Sequence, residues 1–336
     1  MKTCLEICLA QVKKDYPFTF IDVGAMGGIP KKWEQLKGSM NVIAFEPDER
    51  EFSKLNKRND IRCFNSILHE KSDELTFYVS NDPGKSSVYK PNVKLLSEFE
   101  NVSRFDIVDR KIFPKDRVKS LDAVFAEQQI GDADFAKIDV QGNELSILEG
   151  CQKSVLPRMF GIQLEVEFAE IYENQPVFRD IDRFLAGQGF QLMDISRSYW
   201  KRKDYYDYPG KGQLTFGDAL YFKTVDGMKT QKNTLGDKID ISSKVYKSIL
   251  ACLIYGMFDY AVFLANYAVK DRIISDAQYP LIKQAILAES RKGYFPDFWG
   301  KEFIFKAMNR VLEKMGPRSY LGWADRDRMI GNVRDL

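Results

Sequence analysis

The stretch Phe18-Thr-Phe-Ile-Asp-Val-Gly-Ala-Met-Gly-Gly28 is an apolar strand pattern that ends in an acid and runs into a glycine-rich turn. Such a turn lets the backbone approach a ligand closely, with helix amides just beyond it. The dinucleotide-binding spacing G-x-G-x-x-G would place its second glycine at position 26, where Met26 stands. Pyrophosphate needs the close approach that this glycine permits, so Met26 argues against a nicotinamide cofactor. Asp22 beside glycines suits a cationic ligand better, and the alternative is a tight strand-to-helix turn that binds nothing. Downstream, Asn41-Val-Ile-Ala-Phe-Glu46-Pro47 repeats the pattern of strand, acid and turn. A carboxylate at the end of a second strand is where a nucleotide ribose is held by its hydroxyls. Pro47 fixes the turn and removes one donor. As plain structure, Glu46 would be an N-cap or a solvated turn residue.

From Phe18 to about Val225, short β-branched or aromatic runs alternate with helical patterns, which predicts a mainly parallel α/β sheet. Strands are expected over 18–23, 41–45, 61–65, 135–140, 160–168, 190–195 and 219–222, with 75–80 outside the main alternation. Helices are expected over 49–59, 143–151 and 178–188, the last with Phe178, Ile181, Phe184 and Leu185 at helical spacing. A short amphipathic helix within residues 1–16 precedes the first strand. Beyond Lys232 the pattern is helical only, over 245–255, 257–270, 279–289 and 303–315. The expected organisation is a domain over 1–225, a linker over 226–240 and a helical extension over 241–336. Ile249, Leu253, Phe263, Ile286 and Phe305 in that extension need covering, either by the first domain or at a homo-oligomer interface.

The 336 residues carry 50 Lys+Arg against 48 Asp+Glu, and 44% of them are hydrophobic. A balance of +2 argues against a nucleic-acid partner, which calls for a basic excess or patch. The single histidine, His69, excludes a two-histidine zinc site, and any Ser-His-Asp or Cys-His arrangement would have to use it. It follows the third strand and is expected as a surface or capping residue. Cys4, Cys8, Cys63, Cys151 and Cys252 are scattered and form no C-x-x-C pair, the usage of reduced thiols in a cytoplasmic protein. The most apolar stretch, 248–269, is interrupted by Gly256 and Asp259. A spanning helix needs ~20 mostly apolar residues, so no integral membrane segment is expected.

Further motifs follow in order: Lys85-Ser-Ser-Val-Tyr89, Val118-Lys-Ser-Leu-Asp122, Lys137-Ile-Asp-Val-Gln-Gly-Asn-Glu144, Glu165-Val-Glu-Phe168, Gln175-Pro-Val-Phe-Arg-Asp-Ile-Asp182 and Gly212-Gln-Leu-Thr-Phe-Gly-Asp-Ala219. Together with the first two strands they resemble the FkbM-type S-adenosylmethionine-dependent methyltransferases. The resemblance spans roughly Phe18 to Phe222 and does not cover the C-terminal helices. It implies a Rossmann-like methyltransferase fold, a seven-stranded mostly parallel sheet flanked by helices, here with an α-helical C-terminal extension. It also implies S-adenosylmethionine as donor and an oxygen acceptor on a sugar, glycan or natural product. By that resemblance Asp22, Gly24, Ala25 and Gly28 line the methionine part of the cofactor. Glu46 and Pro47 would meet the ribose, Asn65 and Ser66 the adenine, and Asp139 completes the set. Many relatives carry a histidine where this chain has Asn143, so that base is absent.

Asp139 ends the fourth strand and should open into the crevice at the strands' C-terminal edge. In the fifth strand Gln163, Glu165 and Glu167 alternate with Leu164, Val166 and Phe168, whereas a central parallel strand is normally apolar on both faces. Buried unpaired carboxylates are costly, so these groups should meet a cation, a donor or water. On one reading Asp139, Glu165 and Glu167 are catalytic, with Asp139 and Glu165 holding a divalent ion such as Mg²⁺. On the other they pair with Lys or Arg in a structural network. Ser198–Tyr208 mixes aromatics with Lys201, Arg202 and Lys203; it either stacks on a sugar substrate or folds onto the domain. The expected function is O-methyl transfer to a hydroxyl of a sugar or glycan. The alternatives are an NAD-dependent oxidoreductase and a non-catalytic module of the same fold that binds S-adenosylmethionine or another ligand.

Overall fold

A computed structural model describes residues 3–100, 102–205, 208, 212–235, 240–292, 295–314 and 325–326. Seven strands build the main sheet: β1 (Phe18–Val23), β2 (Met40–Phe45), β3 (Ile61–Phe64), β4 (Phe135–Ile138), β5 (Gly161–Glu167), β6 (Phe190–Trp200) and β7 (Gln213–Lys223). Their order is β3-β2-β1-β4-β5-β7-β6. β1 to β5 run parallel, while β7 lies antiparallel to both β5 and β6. This is the expected seven-stranded, mostly parallel Rossmann-like sheet. Two further residues, Asp325–Arg326, pair with the outer edge of β6 at Tyr199 and Ser198. Leu75–Ser80 pairs with Ile107–Phe113 as a separate antiparallel ribbon.

β1 is buried at all six positions, as a central parallel strand should be. β6 and β7 are longer than expected; in the outer half of β6 burial alternates, with Ser196 and Ser198 buried and Arg197 exposed. An antiparallel hairpin at a sheet edge tolerates that alternation, since one face can stay wet.

Each face of the sheet has its own helical layer. Ile21, Val23, Ile43, Ala136, Ile138 and Leu164 pack with residues of the helices Leu121–Glu127, Glu144–Glu149 and Phe178–Gly187. Phe18, Phe20, Val42, Phe135, Leu220 and Phe222 on the other face pack with the Cys4–Leu9 helix and with Ile241–Ile254, Phe258–Lys270 and Gln278–Ser290. Trp33 sits at the centre of this second layer, its ring 4.7 Å from Phe20 and from Phe135. The helices over residues 241–290 therefore supply a layer of the sandwich. A further helix, Val225–Leu235, runs through much of the segment expected as a linker.

The Ile241–Ile254 helix is fastened at the N-terminal edge of β4. Lys244 Nζ donates to Asp132 Oδ1 (2.8 Å), Asp134 Oδ1 (2.6 Å) and the Ala133 carbonyl (2.8 Å). Lys247 Nζ reaches Asp132 Oδ2 at 2.9 Å and lies 3.8 Å from the centre of the Tyr16 ring. At the opposite edge, strand order reverses between β1 and β4, because β1 leads outward to β2 and β4 to β5. The crevice at the C-terminal ends of β1 and β4 is where open α/β sheets bind their ligands.

Candidate active site

The β1 side of the crevice is built from the glycine turn. Gly24 has φ +76°, and a Cβ there would stand 2.1 Å from the Asp139 carbonyl oxygen. The N–H groups of Gly24 and Ala25 both donate to the Phe45 carbonyl, at 3.1 and 3.3 Å. The turn is thereby locked between β2 and β4, which only a glycine at 24 allows. Gly28 N–H closes the turn on the Ala25 carbonyl. Asp22, one strand position inward, is 2% exposed, and its Oδ1 makes no hydrogen bond among the described residues. Its nearest cation is Lys137 Nζ at 3.8 Å. Burial pushes the Asp22 carboxyl up to about 6.

Glu46 follows β2 and is likewise buried. Its Oε1 accepts from the Asp48 N–H at 2.9 Å, and burial raises its carboxyl to about 7. Asn65 ties the neighbouring strand end to it, with Nδ2 donating to the Glu46 and Pro47 carbonyls and Oδ1 accepting from Arg117. Asn65 and Ser66 line a cleft of about 190 Å³ with Phe64, Arg117 and Gln128. Every residue assigned to the cofactor by resemblance thus lies at the C-terminal ends of β1 to β4.

The β4–β5 side is acidic and mostly buried. Asp139 is 39% exposed at the mouth, 3.4 Å from both Lys137 Nζ and Gln141 Nε2. Burial works against its ionisation, but the Lys137 and Lys85 ammonium groups outweigh it and hold the carboxyl below its ordinary range. Gln141 Nε2 also donates to Glu165 Oε2, placing one amide between the two carboxyls. Glu165 is driven up to about 8 by burial and by the Asp139 charge. Glu167, 1% exposed, is raised well above the carboxylate range by burial and by Glu144 and Glu165. Oε2 of Glu167 and Oε2 of Glu144 are buried acceptors that make no hydrogen bond among the described residues. Gln163, on the same face of β5, instead accepts from the Tyr255 hydroxyl at 2.6 Å and belongs to the helical layer.

Four participants were not visible as site residues in the sequence: Lys85, Lys137, Gln141 and Tyr172. Lys85 Nζ donates to Gln141 Oε1 at 3.1 Å, and the Tyr172 hydroxyl lies 3.1 Å from the same oxygen. Gln141 has φ +62°, a conformation that aims its side chain along the mouth of the sheet. The one signal available was the Val-Gln-Gly turn directly after a strand. The expected ion site finds no support. Among the described residues no group of three or more His, Cys, Asp or Glu is placed to hold a metal. Donors occupy the relevant space, namely the Gln141 amide between Asp139 and Glu165 and the Lys137 ammonium beside Asp139, and donors do not ligate cations. Asn143 heads the Glu144–Glu149 helix and donates to the Leu68 carbonyl at 2.9 Å, a scaffold contact. In the aromatic-basic loop, Trp200 is buried and Arg202 stacks 4.4 Å over Phe99 while pairing with Glu98. Tyr206 and Asp207 lie outside the described residues.

A family model described as the methyltransferase FkbM domain matches residues 22–192. The chain belongs to the FkbM methyltransferase family. It is an S-adenosylmethionine-dependent methyltransferase, and the nicotinamide alternative falls away. Comparison with curated proteins finds no match. Among solved structures the methyltransferase is similar to the precorrin-6y C5,15-methyltransferase of Geobacter metallireducens, at 11% identity and a TM-score of 0.32 over 65% of this chain and 87% of that one. It is also similar to TrmK of M. capricolum in complex with S-adenosylhomocysteine, at 10% identity and 0.29 over 87% and 96%. The B. subtilis M1A22 tRNA methyltransferase TrmK gives 9% and 0.28 over 87% and 96%. At such scores the fold assignment stays with the strand order and the family match.

If Asp22 and Glu46 hold the cofactor, their raised carboxyls will make its binding pH-dependent. Asp22 near 6 and Glu46 near 7 are protonated in the free protein at lower pH, and only the ionised forms serve a cation or accept two hydroxyl protons. Titration calorimetry should show S-adenosylmethionine affinity falling as pH drops below 7, by roughly tenfold per unit for each proton that must leave. Glu46→Gln should weaken binding and remove the upper part of the profile. An unchanged profile in that variant would contradict the role of Glu46. Because these carboxyls hold protons that the unfolded chain has lost, the ligand-free protein should lose stability as pH rises from the ordinary carboxylate range to about 8.

Proposed function

We propose that the enzyme methylates a hydroxyl of a sugar or glycan, with the donor between β1 and β4 and the acceptor over β4 and β5. The observation that carries this reading is Glu165, a buried carboxyl pushed up to about 8 at the mouth of β5 and joined through Gln141 to Asp139. S-adenosylmethionine supplies an electrophilic methyl group on a sulfonium. Asp22 with the Gly24–Gly28 turn would orient its methionine part, Glu46 with Pro47 its ribose, and Asn65 with Ser66 its adenine. Asp139, at the junction, would face both ligands. Positioning and exclusion of water supply most of the rate in such an in-line displacement. The acceptor oxygen bonds to the methyl carbon as the carbon–sulfur bond breaks, and Glu165 takes the hydroxyl proton. A base with a pKa near working pH is the efficient choice. The Asp139 carboxylate, exposed at the mouth, is an acceptor that suits a ligand rich in hydroxyl donors.

We also infer that residues 1–225 and the helices over 241–290 form one catalytic body rather than separable parts. The five cysteines, all free, support a reducing, cytoplasmic setting.

The test is a methyl-transfer screen over sugar nucleotides and oligosaccharides. A methylated sugar is expected from the wild type, with kcat lowered on the order of a hundredfold in Glu165→Gln and cofactor Kd unchanged. Wild-type kcat/KM should rise with pH and level off above about 8. Methylation of RNA, with none of any sugar, would refute the proposal.

A further inference from the structure

An apolar surface that the active site leaves unused lies in residues 295–311. Phe295, Phe298, Trp299, Phe303, Phe305 and Met308 are all exposed, Trp299 at 99%. Every side chain from Glu302 to Val311 is exposed although the backbone is helical over Lys301–Lys314. A helix of this length is marginal in water when nothing covers its apolar side. Ile304, Phe305, Met308 and Val311 share one side of it, and Lys306, Asn309 and Arg310 share the other. Lys306 pairs with Glu302 at 2.5 Å, and Lys301 with Asp297 at 2.8 Å, which keeps those charges along the surface.

We propose that this segment lies in the interface of a bilayer containing anionic lipids, with Trp299 and the apolar side of the helix sunk among the headgroups. Three observations favour lipid over a protein partner. Tryptophan and phenylalanine gather just ahead of the helix, and these are the side chains that settle at the headgroup level. Over 295–314 four Lys and Arg stand against Asp297, Glu302 and Glu313, a net +1 that complements anionic headgroups. The apolar side is also small: a helix of this length presents a face of only about 200 Å², well below the ~800 Å² per partner of a stable protein interface. Among the described residues no helix is long and apolar enough to cross a membrane, so the segment would lie along the surface.

The proposal does not rest on the identity of the methyl acceptor. Its test is co-sedimentation of the full chain with phosphatidylcholine vesicles and with vesicles containing phosphatidylglycerol. Binding is expected to the phosphatidylglycerol vesicles, to weaken with added salt, and to fall roughly tenfold or more in Trp299→Ala and in Phe305→Ser. Both variants should keep the wild-type melting temperature and cofactor affinity. Absence of wild-type binding would overturn the proposal. So would a wild-type dimer, seen by light scattering, that Phe305→Ser dissociates, because the segment would then be an interface between copies.

Discussion

Gly24→Ala is expected to abolish S-adenosylmethionine binding at accessible concentrations. The added methyl would stand 2.1 Å from the Asp139 carbonyl oxygen and 3.1 Å from its carbon. Both atoms are backbone, at the end of a strand held on two sides, so neither can swing away as a flexible side chain would. The left-handed φ of +76° adds about 1–2 kcal/mol for any residue with a Cβ. To relieve the contact, the ends of β1 and β4 must separate, which displaces Asp22 and Asp139 together. A combined strain of ~3 kcal/mol already corresponds to about a hundredfold in affinity. Calorimetry and thermal melting should both report the change. Gly27→Ala is the control: its φ is +86°, yet a Cβ there meets nothing within 4 Å. Equal losses in the two variants would show that backbone conformation alone matters and that the contact with Asp139 does not.

Lys244→Met should be the most destabilising change far from the site. Lys244 and Lys247 face Asp132 and Asp134, and all four are buried, with Lys244 at 0% and Asp134 at 1% exposed. Removing one partner from a buried ion cluster strands a charge and costs about 3–5 kcal/mol. A drop in melting temperature of roughly 4–7 °C follows for a protein of this size. Lys244→Met combined with Asp134→Asn should recover part of the loss, since the stranded carboxylate is then gone. A double variant no better than the single one would mean that the lysine acts through packing rather than charge.

Much of this was legible in the sequence because local pattern carried it. β1, β2 and β4 are short apolar runs closed by Asp22, Glu46 and Asp139, and each acid lies at the same edge of the sheet. Glu165 stood out because a polar group at a central strand position conflicts with burial. The partners that resolve the conflict were not legible. Gln141 follows β4, Lys85 ends the short helical turn Pro83–Lys85 after the Leu75–Ser80 ribbon strand, and Tyr172 follows β5; only the folded chain brings them together. Lys137 was hidden for another reason. In the pattern it is one polar residue in a strand, and its register opposite Asp22 depends on pairing across the sheet. The pattern gives a helix over 245–255 and assigns no role to Lys244 or Lys247. The helix in fact begins at Ile241, and both lysines face inward because Asp132 and Asp134 await them.

The layer made by the helices after residue 240 separates what is inherited from what can fold. The stretch recognisable as family, residues 22–192, contains the crevice and its acids but not the cover for one side of the sheet. Cut to that stretch, Val42, Phe135 and Phe160 would lie bare, a patch that invites aggregation. Grafting this site onto another scaffold, or trimming the enzyme to its family core, therefore has to carry the Cys4–Leu9 helix and the helices through Ser290 along with it.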